Sequence, residues 1–235
     1  MVDQTHGERR FSSPQSLAEV LASKIAETLR QAVKARGTAS LVVPGGRTSM
    51  TLFEQLQYQD IPWTNVWITL TDERWVSRDA PDSNEGLVRK MLLRGTAKEA
   101  HFIGLKNEAE TPEAGQAACN ATLMALPRPF DVVVLGMGND GHIASLFPQM
   151  PELAAALDPT GDAICIPSRL NGSFQPRMSL TLAALLNSRW IVLHIVGDSK
   201  RRVYREACLP GPASEFTIRA VLQQTQVPVD VYWAP

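Results

Sequence analysis

The residues with the clearest chemical potential lie in one segment, Gly136-Met137-Gly138-Asn139-Asp140-Gly141-His142-Ile143-Ala144-Ser145-Leu146-Phe147-Pro148. An imidazole, with an ordinary pKa near about 6.5, can accept and return a proton at neutral pH, and a carboxylate such as Asp140 can orient it or stabilise its charged form. The other histidines have plainer settings. His6 lies in a polar N-terminal stretch, His101 precedes a short strand, and His194 sits inside an apolar strand, where a satisfied core histidine is expected. Gly136, Gly138 and Gly141 also match G-x-G-x-x-G, the dinucleotide fingerprint. Phe147-Pro148 interrupts the helix that this use requires, and no strand ends in an acidic residue about 20 positions later. The lone match is weak evidence for a nicotinamide dinucleotide.

Basic residues and glycines elsewhere suit an anionic ligand. In Pro44-Gly45-Gly46-Arg47-Thr48-Ser49, two glycines let the backbone approach a ligand, and the helix that follows aims free N–H groups at it. The Walker spacing is absent, and a plain βα turn would also use these glycines. Thr71-Asp72-Glu73-Arg74 follows a strand. Adjacent carboxylates diverge, so no glycosidase pair is read there. Arg74 is either an anion clamp or an ordinary surface cation, while Ser83 or Asn84 fits a helix cap. Arg177 precedes Met178-Ser179-Leu180-Thr181 and is open to either reading. Lys200 begins a helix, where the macrodipole disfavours a cation unless an anion binds. Arg201 and Arg202 read as solvated charges. With no G-x-S-x-G, H-E-x-x-H or clustered His/Cys/Asp set, neither a serine nucleophile nor a metal site is expected.

The elements that must position these residues alternate. Ser13-Pro14, apolar positions Leu17, Leu21, Ile25, Leu29 and Val33, and a closing Gly37 predict a capped amphipathic helix. Strands follow near 41–43, 66–70, 102–103, 132–135, 163–166, 190–196 and 229–232. Helices are predicted from Met50 to Leu56 and near 84–93, 113–124, 180–187, 200–207 and 218–223. Strands that are apolar throughout belong to a parallel sheet covered on both faces. The expectation is an α/β, doubly wound, mostly parallel sheet with helices on both faces, Rossmann-like, with room for a small appended subdomain. Residues 1–12 read as a flexible tail and 13–235 as one α/β domain. The stretch 148–176 is the loosest and reads as a flap or edge extension.

Composition bounds the partners. The chain has 235 residues, 23 Lys and Arg against 24 Asp and Glu, and a net charge of −1. That balance offers no basic field for nucleic acid. Cys119, Cys165 and Cys208 form no C-x-x-C pair and read as buried small hydrophobes of a reducing cytosol. No apolar run approaches the roughly 18 residues of a membrane span. A cytoplasmic protein without nucleic-acid or membrane partners is expected; monomer and homo-oligomer are equally compatible with the sequence.

Taken in order, Gly45-Gly46-Arg47-Thr48, Thr71-Asp72-Glu73-Arg74-Trp75-Val76, Asp82-Ser83-Asn84, Gly136 to Pro148, Arg177-Met178-Ser179-Leu180-Thr181 and Lys200 resemble the 6-phosphogluconolactonases. These belong to a wider group that includes glucosamine-6-phosphate deaminases. Deaminases share Asp-Gly-His but usually continue with Phe-Asn-Glu-Pro, whereas Ala144-Ser145-Leu146-Phe147-Pro148 is similar to the lactonase form. The resemblance implies a carboxylic ester hydrolase of the oxidative pentose phosphate pathway, acting on 6-phospho-D-glucono-1,5-lactone without metal or cofactor. It further implies His142 as general base beside Asp140, with Gly45, Gly46, Arg47, Arg74, Arg177 and Lys200 around the substrate. An amino-sugar-phosphate deaminase or isomerase, and a non-catalytic sugar-phosphate sensor, are the alternatives. The chain departs from the family at Ser49, where Pro is frequent, and at Asn171 to Gln175, where the family carries more prolines.

Overall fold

The computed structural model describes residues 7–169 and 175–235. Its strands are β1 (Gly7–Arg10), β2 (Ala39–Val43), β3 (Val66–Leu70), β4 (Asp72–Arg74), β5 (His101–Ile103), β6 (Val132–Leu135), β7 (Cys165–Ser168), β8 (Arg177–Leu180), β9 (Ile191–Val196) and β10 (Val229–Ala234). Its helices are α1 (Pro14–Arg36), α2 (Arg47–Leu56), α3 (Asn84–Met91), α4 (Pro112–Leu123), α5 (Leu153–Ala156), α6 (Leu182–Leu186), α7 (Asp198–Ala207) and α8 (Arg219–Leu222).

Seven strands form one sheet in the order β1-β10-β9-β6-β2-β3-β5, and each pairing in it is parallel. Strands β2 and β6 are buried at every position, so both faces of the sheet's centre are covered, as their unbroken apolar sequences require. From β2 the chain builds outward through β3 and β5; from β6 it builds the other way through β9 and β10. The reversal falls between β2 and β6, whose registers place Leu41 beside Val132 and Val42 beside Val133. In a doubly wound sheet that reversal opens a crevice beyond the strands' carboxyl ends.

Helix α1 begins and ends as its sequence predicts. Ser13 caps it by accepting from Ser16 N, Ser16 Oγ accepts from Ser13 N, and Gly37 closes it in the left-handed region at φ 79°. The stripe Leu17, Leu21, Ile25 and Leu29 is fully buried.

Two corrections concern boundaries. Residues Gly7–Arg10, read as tail, form β1 at the sheet edge in parallel pairing with β10, and Phe11 stacks on Tyr232 at 5.6 Å. The polar sequence Gly-Glu-Arg-Arg hid this strand because an edge strand needs backbone pairing more than apolar side chains. Residues 1–6, with His6, lie outside the described residues. The helix expected from about Leu180 starts at Leu182, because Arg177–Leu180 pairs with β4 and β7 in a second, antiparallel sheet of order β4-β8-β7. This small sheet takes the place of the appended subdomain, and part of 148–176 builds its β7 edge. Of the cysteines, Cys119 and Cys165 are buried but Cys208 is exposed at the end of α7. Arg201 is also no solvated charge: its Nε donates to Glu8 at 2.8 Å and its guanidinium lies 4.0 Å from the Trp233 ring centroid.

His194 is buried in β9, yet its Nδ1 has no hydrogen-bond partner among the described residues. Burial, reinforced by nearby Lys200, pushes its pKa down to about 4. The unfolded chain therefore takes up a proton below about pH 6.5 that the native protein refuses until near pH 4, so stability declines as pH falls through that window. The loss approaches about 3 kcal/mol across the window. Thermal melts of wild type and His194→Leu between pH 7 and 4 should converge or cross, with the wild-type melting temperature falling more steeply; parallel curves would exclude this origin.

Candidate active site

A crevice of about 610 Å³ opens at the carboxyl ends of β2 and β6. Gly45, Gly46, Arg47, Arg74, His142, Arg177 and Lys200 line it, so residues spread over 156 positions of sequence meet at one place (45 to 200, inclusive). Asp140 stands behind His142.

The His142 loop leaves β6 and runs as a series of turns rather than a helix. It therefore lacks the helix N-terminus on which a dinucleotide fingerprint relies. Asp140 Oδ1 is 2.5 Å from His142 Nδ1. Burial works against the charge on Asp140, but the hydrogen bond and charge of His142 outweigh it and hold the carboxyl below its ordinary range. The pairing leaves Nε2 as the imidazole's second proton-carrying position. Phe147 packs against the ring at a centroid distance of 4.5 Å, and Gly138 leaves room for it: a Cβ there would lie 2.3 Å from ring atoms.

The small sheet supplies two cations to the same crevice. Arg74 and Arg177 are direct register partners on β4 and β8. Like charges facing each other across antiparallel strands repel, so the pair needs support. Arg177 Nη1 lies 3.8 Å from Asp72 Oδ2 and donates to Ser145 Oγ at 3.4 Å, and its guanidinium sits 5.3 Å from the Phe147 ring centroid. Burial depresses its pKa, Asp72 supports its charge and Arg74 opposes it. Arg74 donates through Nη1 to Asp82 O at 2.6 Å, while its buried Nε has no partner among the described residues.

As expected, Asp72 and Glu73 diverge. Asp72 accepts from Ser145 Oγ at 2.6 Å and from Thr71 Oγ1 at 3.0 Å on the crevice side. Glu73 turns away and collects the N–H groups of Arg74, Asn84 and Glu85 with the Ser83 hydroxyl, fastening β4 to the start of α3. Burial nevertheless raises its pKa, outweighing those hydrogen bonds. Ser83 is the α3 cap, as read, through Gly86 N at 3.0 Å.

The remaining wall is cationic at two helix starts. Gly46, at φ 84°, turns the chain into α2, whose first residue is Arg47. Ser49 replaces the family's Pro with a bond of its own, donating from Oγ to Gly45 O at 3.0 Å. Lys200 stands in the first turn of α7. Burial first, and Arg47 second, depress the Lys200 pKa, so an anion between them would relieve both effects. Among the described residues no group of three His, Cys, Asp or Glu is arranged to hold a metal. The second departure, Asn171 to Phe174, lies outside the described residues; Gln175 donates to Asp82 Oδ2 at 3.1 Å.

Sequence reasoning singled out neither Ser145 nor Asp72 as a supporting group. Both lie inside quoted motifs, but their bond spans 73 residues and has no local signal.

An imidazole paired with a carboxylate shares one crevice with four cations at the switch point of a parallel sheet. The chain belongs to the glucosamine-6-phosphate isomerases/6-phosphogluconolactonase family, whose model matches residues 12–233. It is 45% identical over 225 residues to a 6-phosphogluconolactonase of Mesorhizobium japonicum, covering 96% of this chain and 94% of that one. A relative of the same name in Rhizobium meliloti is 42% identical, with 96% and 97% covered. The crystal structure of a 6-phosphogluconolactonase from Shewanella baltica superposes with a TM-score of 0.95 at 49% identity, covering 97% of each chain.

Gly45 shows how tightly the site is built. A Cβ on it would lie 1.8 Å from Asn84 Oδ1, and Asn84 is buried with its Nδ2 donating to Asp72 O at 2.8 Å. Gly45→Ala should destabilise the protein by about 1–3 kcal/mol through overpacking. Shortening the opposing side chain as well, in Gly45→Ala/Asn84→Ala, should cost less than the two single effects summed; chemical denaturation of the four proteins checks the coupling, and strict additivity would refute it.

Proposed function

We propose that this protein hydrolyses 6-phospho-D-glucono-1,5-lactone to 6-phospho-D-gluconate, with His142 as general base. The observation that carries the reading is the 2.5 Å pairing of His142 with Asp140 in a crevice that Arg74, Arg177 and Lys200 also line. The names of the close relatives support the substrate, a phosphorylated sugar lactone.

In this reading the 6-phosphate rests near Lys200 and Arg47, where the α2 N-terminus adds N–H groups. The lactone carbonyl then faces His142. The Nε2 atom takes a proton from water as its oxygen bonds to the carbonyl carbon. Negative charge moves to the carbonyl oxygen, within reach of the glycine-loop N–H groups and the Arg74–Arg177 pair. One aimed donor of this kind is worth on the order of 3 kcal/mol. Collapse of the tetrahedral species breaks the bond from carbon to the ring oxygen, and His142 returns its proton to that oxygen. Asp140 keeps the imidazole oriented and stabilises its charged state throughout. The reaction needs no cofactor. A substrate this charged stays in the compartment that makes it, which we take to be the cytoplasm. No described helix is long and apolar enough to cross a membrane.

Proton release from freshly generated lactone should exceed the spontaneous rate, and His142→Ala should remove about 10²- to 10⁴-fold of the catalysed rate. An unchanged rate in that variant would overturn the mechanism, and ammonia release from glucosamine 6-phosphate would overturn the substrate. Lys200→Met is expected to raise KM at least tenfold with a smaller change in kcat, measured by the same assay; a pure loss of kcat would move Lys200 from the phosphate to the reacting carbonyl.

A further inference from the structure

The His142 loop has left the sheet, so its backbone groups need partners from elsewhere. Some come from within: Gly138 N donates to His142 O at 2.9 Å, Gly141 N to Gly138 O at 3.1 Å, Leu146 N to Ile143 O at 2.9 Å and His142 N to Asp140 Oδ1 at 3.3 Å. The bonds that flank His142 come from a segment more than 70 residues away. Ile218 N donates to Gly141 O at 3.0 Å, immediately before His142. Ile143 N, immediately after it, donates to Thr217 Oγ1 at 3.2 Å, and that hydroxyl in turn donates to Leu146 O at 2.7 Å. Thr217, Ile143 and Leu146 are fully buried, so no water can replace a lost bond without rearrangement.

The same segment fixes the loop by shape. The Phe216 ring fills the space beside Gly141, where an added Cβ would come within 2.4 Å of Cδ1. Gly141 needs its φ of 76° as well, so this residue serves both the turn and the approach of Phe216. Phe216 is held in turn by Arg219, whose guanidinium lies 4.8 Å from the ring centroid, and which is anchored by Pro212 O, Ala207 O and Glu215.

We propose that Thr217 is a positioning residue for His142: its hydroxyl clamps both ends of the 143–146 turn and so sets where the imidazole meets substrate. The inference rests on the reading of His142 as the base. Thr217 does not line the crevice, and no contact with substrate is assigned to it. Loss of the hydroxyl should therefore alter the step that uses His142 and leave binding alone.

The test compares Thr217→Val, which keeps the shape and removes the hydroxyl, with Thr217→Ser, which restores it. Thr217→Val should lower kcat about tenfold or more with KM within about twofold, and Thr217→Ser should return kcat to within about threefold of wild type, because a small misplacement of a catalytic group is costly. The low-field NMR signal of the proton between His142 and Asp140 should shift or broaden in the Val variant and recover in the Ser variant. A folded Thr217→Val enzyme with unchanged kcat and an unchanged signal overturns the proposal, as does a rise in KM with kcat intact. Should Thr217→Val not fold, Phe216→Leu, which loosens the same clamp from its Gly141 side, must lower kcat with KM intact or the proposal fails. His142→Ala separates the two readings: full activity there removes the base assignment and this proposal together, whereas a large loss there with full activity in Thr217→Val removes this proposal alone.

Discussion

Mutual repulsion among cations is the constraint around which this molecule is arranged. Arg74 faces Arg177 across a two-strand ladder, and Lys200 lies within electrostatic reach of Arg47 while partly withdrawn from water. In an unliganded protein such a gathering costs energy, and only a rigid surround keeps it from dispersing. Asp72 is the main internal offset, held to Arg177 and to the Ser145 hydroxyl at once. A phosphorylated substrate would complete what the protein leaves electrostatically unbalanced, so the apo state is primed by its own discomfort. The overall charge of −1 conceals this, because it averages a cationic crevice with an acidic remainder.

Holding the crevice together is largely a matter of finding partners for backbone that no longer belongs to a strand. Glu73 spends its carboxylate on three N–H groups at the β4–α3 junction despite the penalty of burial. Ser179 Oγ accepts from Ser145 N at 3.1 Å, and Ser168 donates to the Ser145 carbonyl. The small antiparallel sheet thus grips the His142 loop on one side while the 216–219 segment grips it on the other. Side-chain hydroxyls and carboxylates do here what ladder bonds do in the main sheet.

Much of this was legible in the residues. The parallel core could be read because β2, β6 and β9 are apolar at nearly every position, which a half-exposed strand would not be. The α1 boundaries followed from Ser13-Pro14 and Gly37. The crevice could be located because Gly45, Gly46, Arg47, Arg74, His142 and Lys200 fall after strands of the main sheet, and these reach it together with Arg177, which opens β8. What escaped was structure held by partners distant in sequence. The strand β1 is polar; β4 has three residues, two acidic and one basic; β8 blends into a helical pattern; and each is defined by pairing rather than by periodicity. His194 was placed in the core correctly, but its unpartnered Nδ1 depends on what surrounds it in three dimensions. The same holds for Thr217, an unremarkable residue in the sequence.

The shared volume of Gly45 and Asn84 has an implication for how such a protein can change. Residues 39 positions apart compete for one space, so the acceptable choices at one depend on the occupant of the other. A library randomised at position 45 alone would return mostly glycine and suggest an inflexible site. Randomised together, the two positions form a two-letter code in which a larger residue on the β2 turn becomes accessible once the α3 amide has been given up, and with it a differently shaped floor to the crevice.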